Sequence, residues 1–141
     1  MPYELSDKYT NADIGLIVTG ESLEELFGDA VIGLMDIIVE LSGLEEREEI
    51  AFELEDDDLE SLFYRWLSEI IYYKDADDFL VKRCDLIIVR TDKIRLKARL
   101  FGDKIDRLRH VFKVDVKAVT YYEFKIRKTN DHWLGEVVFD L

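Results

Sequence analysis

The stretch Lys93-Ile94-Arg95-Leu96-Lys97-Ala98-Arg99-Leu100 carries the reading of the fold. Cationic and apolar residues alternate without a break, so the segment is a β-strand with one face in a core and the other in water. A half-buried strand of this kind belongs to an antiparallel sheet, because parallel sheets are covered on both faces. Thr91-Asp92-Lys93 reads as a turn, and Leu86 to Arg90 as the strand before it. Downstream, Val114, Val116 and Ala118 suggest a further strand, and Tyr122, Phe124 and Ile126 another. Asn130-Asp131 turns into a last strand from Trp133 to Asp140.

Toward the N-terminus the period changes. Ile14, Leu16 and Val18 mark a strand leaving Asn11-Ala12-Asp13, and Ile50, Phe52 and Leu54 mark another. Between them, Leu23, Leu26, Phe27, Ala30, Val31, Leu34, Ile38 and Leu41 recur at helical spacing. Ser22 and Glu25 form a capping box at the start of this helix, and Gly43 ends it. A second helix begins at Asp56-Asp57-Asp58, where the helix dipole favours acids, with Leu59, Leu62, Phe63, Trp66, Leu67, Ile70 and Ile71 as its apolar stripe. Two early helices followed by antiparallel strands predict an α+β fold, a mostly antiparallel sheet with both helices packed on one face. The 141 residues are expected to form a single domain over 1–141, with no linker and no internal repeat.

Composition narrows the function. With 48% hydrophobic residues the chain buries enough surface to offset the entropy of folding. It has no basic and apolar leader at Met1-Pro2-Tyr3-Glu4, no run long enough to span a membrane, and one cysteine, Cys84. These features predict a cytoplasmic protein without membrane contact, in which Cys84 is a buried, inert thiol. The net charge of −13 is unevenly spread: residues 1–80 carry −19, residues 81–128 carry +9 and residues 129–141 carry −3. The molecule as a whole repels nucleic acid at long range, while one segment presents cations. Lys93, Arg95, Lys97 and Arg99 would stand about 7 Å apart on one strand face, twice the strand rise. They either grip phosphates or form a solvated face paired with acids on a neighbouring strand.

Most enzymatic chemistries lack their residues. His110 and His132 are the only histidines, and nothing in the sequence sets either beside a nucleophile. There is no glycine-rich phosphate loop and no Cys/His set with zinc spacing. One constellation is more specific. Asp13 opens an apolar strand, Asp140 closes the last one, and Leu141 places a terminal carboxylate beside Asp140. If those strand ends meet, three oxygen-bearing anions share a site, and a divalent cation would relieve their repulsion. Oxygen donors favour Ca²⁺ or Mg²⁺ over zinc. The alternative is that Asp13 merely starts a turn and Asp140 is a solvated end. In the segment Lys117-Ala118-Val119-Thr120-Tyr121-Tyr122, Lys117 is expected to face out, either as an ordinary strand residue or as a lysine held near an anionic site.

Taken together, Ala12-Asp13-Ile14-Gly15, Ser22-Leu23-Glu24-Glu25-Leu26-Phe27, Trp66-Leu67-Ser68-Glu69, His110, Lys117-Ala118-Val119-Thr120-Tyr121, Trp133 and the closing Asp140-Leu141 resemble the archease family, in order and at the right spacing. The resemblance implies an accessory protein, not an enzyme, that activates an RtcB-type tRNA-splicing RNA ligase by promoting its guanylylation and multiple turnover. RNA would be met only indirectly, through the ligase. It further implies a divalent-cation site at Asp13, Asp140 and Leu141, described in the family with Ca²⁺ and with Mg²⁺ or Mn²⁺ as alternatives, and a functional lysine at Lys117. The family usually reads Asp-His-Thr-Ala-Asp at the first site. This chain has Asp7-Lys8-Tyr9-Thr10-Asn11-Ala12-Asp13, without the histidine and with a longer spacing to the earlier acid. A direct RNA-binding module and a metal-independent chaperone or adaptor are the competing readings.

Overall fold

A computed structural model of the chain describes residues 2–6 and 12–141. Among these residues the elements run β1 (Tyr3–Ser6), β2 (Asp13–Gly20), α1 (Leu23–Ile38), β3 (Glu48–Asp56), α2 (Leu59–Asp77), β4 (Phe79–Arg90), β5 (Ile94–Lys104), β6 (Ala118–Lys128) and β7 (Trp133–Asp140). Every strand pairing is antiparallel. The α+β expectation therefore holds, but the strands divide between two sheets, β1-β2-β7-β6 and β3-β5-β4. A period of two reveals that a strand buries one face; it does not reveal which strand lies beside it.

The order strand, helix, strand, strand occurs twice, although no residues repeat. β3-α2-β4-β5 is nested inside β2-α1-β6-β7, and in each unit the first strand pairs with the last. Both helices touch both sheets, α1 against β2 and β4, α2 against β3, β4 and β6. The core lies around them. Phe27, Phe63 and Trp66 are fully buried, each Phe worth roughly 1.5–3 kcal/mol of burial. The Trp66 indole donates to the Phe27 carbonyl at 2.9 Å, so its one polar atom is satisfied.

Each helix begins on a side-chain cap. Ser22 accepts from the Glu25 N–H at 3.1 Å, and Asp58 from the Ser61 N–H at 2.9 Å. The second residue of each helix then reaches a strand edge. Glu24 accepts from the Ile88 N–H at 3.2 Å, and Glu60 from the Ile126 N–H at 3.0 Å. β4 and β6 are edge strands, and these carboxylates occupy donors that could otherwise recruit another chain.

Several boundaries differ from the sequence reading. Helix α1 stops at Ile38, not near Leu41, because Val39 bridges to Phe112 and the Ile38 carbonyl accepts from the Lys113 N–H at 2.8 Å. β4 begins seven residues before Leu86: Phe79, Leu80 and Val81 are all buried, and a bulge between Val81 and Arg83 hides the alternation. The strand expected at Val114 to Ala118 is absent. Residues 105–117 form an irregular strap, and the ladder starts at Ala118. The strand expected around Tyr122 to Ile126 is the second half of the same β6. Between Thr120↔Val138 and Lys125↔Glu136, four β6 residues face one on β7, and Glu123 in this bulge takes a positive φ of 49°.

Candidate metal centre

β7 lies between β2 and β6, and this position assembles the candidate site. Asp13, the first residue of β2, is the direct cross-strand partner of Asp140, the last of β7. Directly opposed residues hold their Cβ atoms about 5 Å apart on one face. On β7, Val137 and Phe139 point into the core, so Asp140 and Asp13 lie on the outer face of the sheet. One residue on, the Leu141 N–H donates to the Ala12 carbonyl at 2.7 Å, and the Leu141 side chain packs against the core. Leu141 is thus held in the ladder beside Ala12.

On the other side of β7, Ala118 faces Asp140, and the Lys117 N–H donates to the Asp140 carbonyl at 2.8 Å. Lys117 is exposed, and among the described residues its ammonium has no hydrogen-bond or ion-pair partner. Three strand ends distant in sequence therefore bring the backbones of Asp13, Asp140, Leu141 and Lys117 together. The acid of the departing segment, Asp7, lies outside the described residues.

The donor chemistry suits a hard cation. Two carboxylates about 4 Å apart repel by roughly 1 kcal/mol in water and about 4 kcal/mol near a protein surface, and a divalent ion reverses that sign. Among the described residues no three His, Cys, Asp or Glu side chains gather around one point. A cation here would take Asp13, Asp140 and the Leu141 carboxylate, and fill its remaining positions with water or an incoming oxygen ligand.

The cationic stripe is paired. Arg99 meets Glu49 at 2.6 Å, Lys97 meets Glu53 at 3.7 Å, Arg95 meets Glu55 at 3.6 Å and Lys93 meets Asp57 at 3.6 Å. Three of these acids stand on β3, the neighbour of β5. Of the two sequence readings, the solvated face paired with acids is the one the structure shows. A groove runs along this face between Ala51, Glu53, Ile87, Lys97 and Arg99, on a different sheet from the Asp13–Asp140 pair.

The histidines are structural. His110 is buried; its Nδ1 accepts from the Asp106 N–H at 2.9 Å, so Nε2 carries the proton and faces Asp103 at 3.2 Å. Arg109 grips the same carboxylate with both terminal nitrogens. Hydrogen bonding to Arg109 holds the Asp103 carboxyl below the usual carboxylate range, against the opposing pull of burial. The sequence carries little sign of this Asp103–Arg109–His110 knot: the alternation of β5, which sends Leu96, Ala98 and Leu100 inward, would turn Asp103 outward, yet it is buried. His132 closes the β6–β7 hairpin with Thr129 and Asp131. Burial pushes the Cys84 thiol up to about 12, so it stays protonated and unreactive at neutral pH.

Comparison with known proteins matches these features to one family. The model of the Archease protein family (MTH1598/TM1083) covers residues 3–141. The archease of Pyrococcus abyssi is 39% identical over 132 residues, covering 92% of this chain and 93% of its own length. That of Archaeoglobus fulgidus is 32% identical over 141 residues and covers both chains fully. The solution structure of Methanobacterium thermoautotrophicum Protein 1598 superposes with a TM-score of 0.82 at 26% identity, covering 99% of each chain. The crystal structure of a Thermotoga maritima archease, described as a possible chaperone, shares the fold with a TM-score of 0.64 at 22% identity, over 94% of this chain and 93% of its own. By family model, curated relatives and fold alike, the chain belongs to the Archease protein family.

Proposed function

We propose that this protein is an accessory activator of an RtcB-type tRNA-splicing RNA ligase, and that it acts through a divalent cation held by Asp13, Asp140 and the Leu141 carboxylate. The observation that carries this reading is the direct opposition of Asp13 and Asp140 at the ends of β2 and β7, with the backbone of the exposed Lys117 bonded to Asp140. A bound divalent ion would supply charge neutralisation for nucleotide phosphates during guanylylation of the ligase. Asp13 and Asp140, on the paired strands β2 and β7, would hold that ion. Lys117, anchored through its backbone on Asp140, presents its ammonium to the same incoming phosphates. The anionic donors favour Ca²⁺, with Mg²⁺ and Mn²⁺ as competitors.

Calorimetric titration of Ca²⁺ and Mg²⁺ into protein with a free Leu141 carboxylate tests the site. Saturable binding is expected, abolished by Asp140→Ala and weakened when a residue is appended after Leu141. Lys117→Ala should retain the ion and lose activation of the ligase. Full activation by Asp13→Ala and Asp140→Ala would refute the metal mechanism and leave a metal-independent adaptor as the function.

A further inference from the structure

The buried stripe of α2 runs on past its last buried apolar residue. Phe63, Trp66, Leu67, Ile70 and Ile71 are buried at helical spacing, and the next position in that series is Lys74, buried as well. An ammonium thus stands where the spacing calls for an apolar side chain. It donates to the Asp115 carboxylate at 2.7 Å and also to Asp75, its neighbour in the chain. Burial works against the charge, but the hydrogen bonds to these two acids outweigh it and leave the pKa raised, so the ammonium stays charged at neutral pH.

A buried ion pair stabilises a fold no more, as a rule, than a well-packed apolar side chain of the same volume. What it adds is direction, since a charged hydrogen bond holds its carboxylate in one place. Asp115 lies in the last part of the strap, which has no strand ladder until Ala118. This part is pinned at both ends through its backbone. The Lys113 N–H donates to the Ile38 carbonyl at 2.8 Å, and the Lys117 N–H to the Asp140 carbonyl at 2.8 Å. Between those points Val116 is fully buried and Asp115 is held by Lys74. Among the described residues, that contact is the one side-chain hydrogen bond joining residues 113–117 to α2. It fixes the chain two residues before Lys117, where the strap comes up beside β7.

We infer that Lys74 is a positioning residue: through Asp115 it sets the path of the chain into Lys117, and so the place from which Lys117 acts. The inference rests on the function proposed above, because that reading gives Lys117 its task.

Two variants test it, Lys74→Met and Asp115→Ala. Asp75 and Asp115 have side chains 55% and 71% exposed, so they return to water when the ammonium is removed, and no buried charge is left unpaired. Asp115→Ala leaves Lys74 its contact with Asp75. The first readout needs no ligase: amide hydrogen exchange, residue by residue, by NMR. In both variants the Lys117 amide should lose protection by roughly tenfold or more, while the amides shared between β2 and β7 keep theirs. Unchanged protection at Lys117 overturns the inference, as does an equal loss throughout the β2–β7 ladder, which marks a general loss of stability. The second readout sets multiple-turnover ligation by an RtcB-type ligase beside calorimetric Ca²⁺ binding. Asp115→Ala should lower the plateau of activation and leave Ca²⁺ affinity unchanged. Wild-type activation by Asp115→Ala overturns the inference and leaves the proposed function standing. A wild type that fails to activate the ligase defeats the proposed function, and the inference with it.

Discussion

At the scale of single residues, the buried polar groups divide into those that hold the fold and those left for use. Asp103 belongs to the first group. Its carboxylate is 2% exposed and takes Arg109 and His110 at once. Because Arg109 lowers its pKa in the folded state, Asp103 stabilises the fold fully above the unfolded carboxylate value of about 4. That contribution is lost as pH falls through the lowered folded value. Asp103→Asn should cost about 1–3 kcal/mol near pH 7, since Arg109 keeps only the half-exposed Glu45 and Asp106, at 3.8 and 3.7 Å, as charge partners. It should also flatten the acid limb of stability in urea titrations below pH 4, and an unchanged acid limb would exclude this assignment. Lys74 is the counterpart on α2. Burial works against its ammonium, but Asp115 and Asp75 outweigh that and raise its pKa. Lys117, by contrast, is exposed, and among the described residues its side chain makes no hydrogen bond or ion pair, so its removal should spare stability in chemical denaturation.

At the scale of elements, the two sheets depend on departures from regular pairing. At the β4 bulge, a Cβ on Gly102 would lie 2.0 Å from the Leu80 carbonyl oxygen, which is backbone and has no side chain to swing away. Gly102→Ala should therefore force the β4–β5 ladder apart and cost at least about 1–3 kcal/mol in chemical denaturation, the range for overpacking. A cost near zero would mean that the two strands approach less closely than described. The β6 bulge has a different consequence. It exposes Tyr121 and Tyr122, and Tyr121 stacks on Tyr64 of α2 with ring centres 4.0 Å apart. The bulge thus re-aims side chains that regular alternation would have sent to opposite faces. The start of β6, before the bulge, keeps its register with Asp140 and so holds Lys117 beside β7.

For the whole molecule, the distribution of charge argues against direct RNA binding. The +9 segment of residues 81–128 supplies β5, but the acids of β3 neutralise that face across the ladder. Exposed pairs of this kind contribute little to stability, typically up to about 1 kcal/mol each, yet they cancel the local field that phosphates would meet. Fluorescence anisotropy with single-stranded and hairpin RNA at low salt should show no saturable binding by the isolated protein. Tight binding that weakens steeply with added salt would instead restore the RNA-binding reading. Among the described residues no helix is long and apolar enough to cross a membrane.

Much of this was legible in the sequence for a local reason. Helix and strand periods, the Ser22 cap, the acidic start of α2 and the turn at Asn130-Asp131 act over a few residues, so the α+β class and most elements could be read directly. Asp13 at the start of β2 and Asp140-Leu141 at the end of β7 also stood out, because charges that open or close apolar strands are conspicuous, whereas the short β1 did not. Bulges at Val81–Arg83 and Thr120–Lys125 broke the alternation and hid the true lengths of β4 and β6. The strap imitated a strand at Val114 and Val116 through alternation in sequence alone: Val116 is buried, but Val114 is exposed and neither lies in a ladder. Only the tertiary structure placed β7 between β2 and β6, divided the strands into two nested units, and paired the cations of β5 with the acids of β3. Those facts are set by strand neighbours far apart in sequence, and backbone hydrogen bonding, which makes the neighbours, leaves almost no trace in side-chain identity.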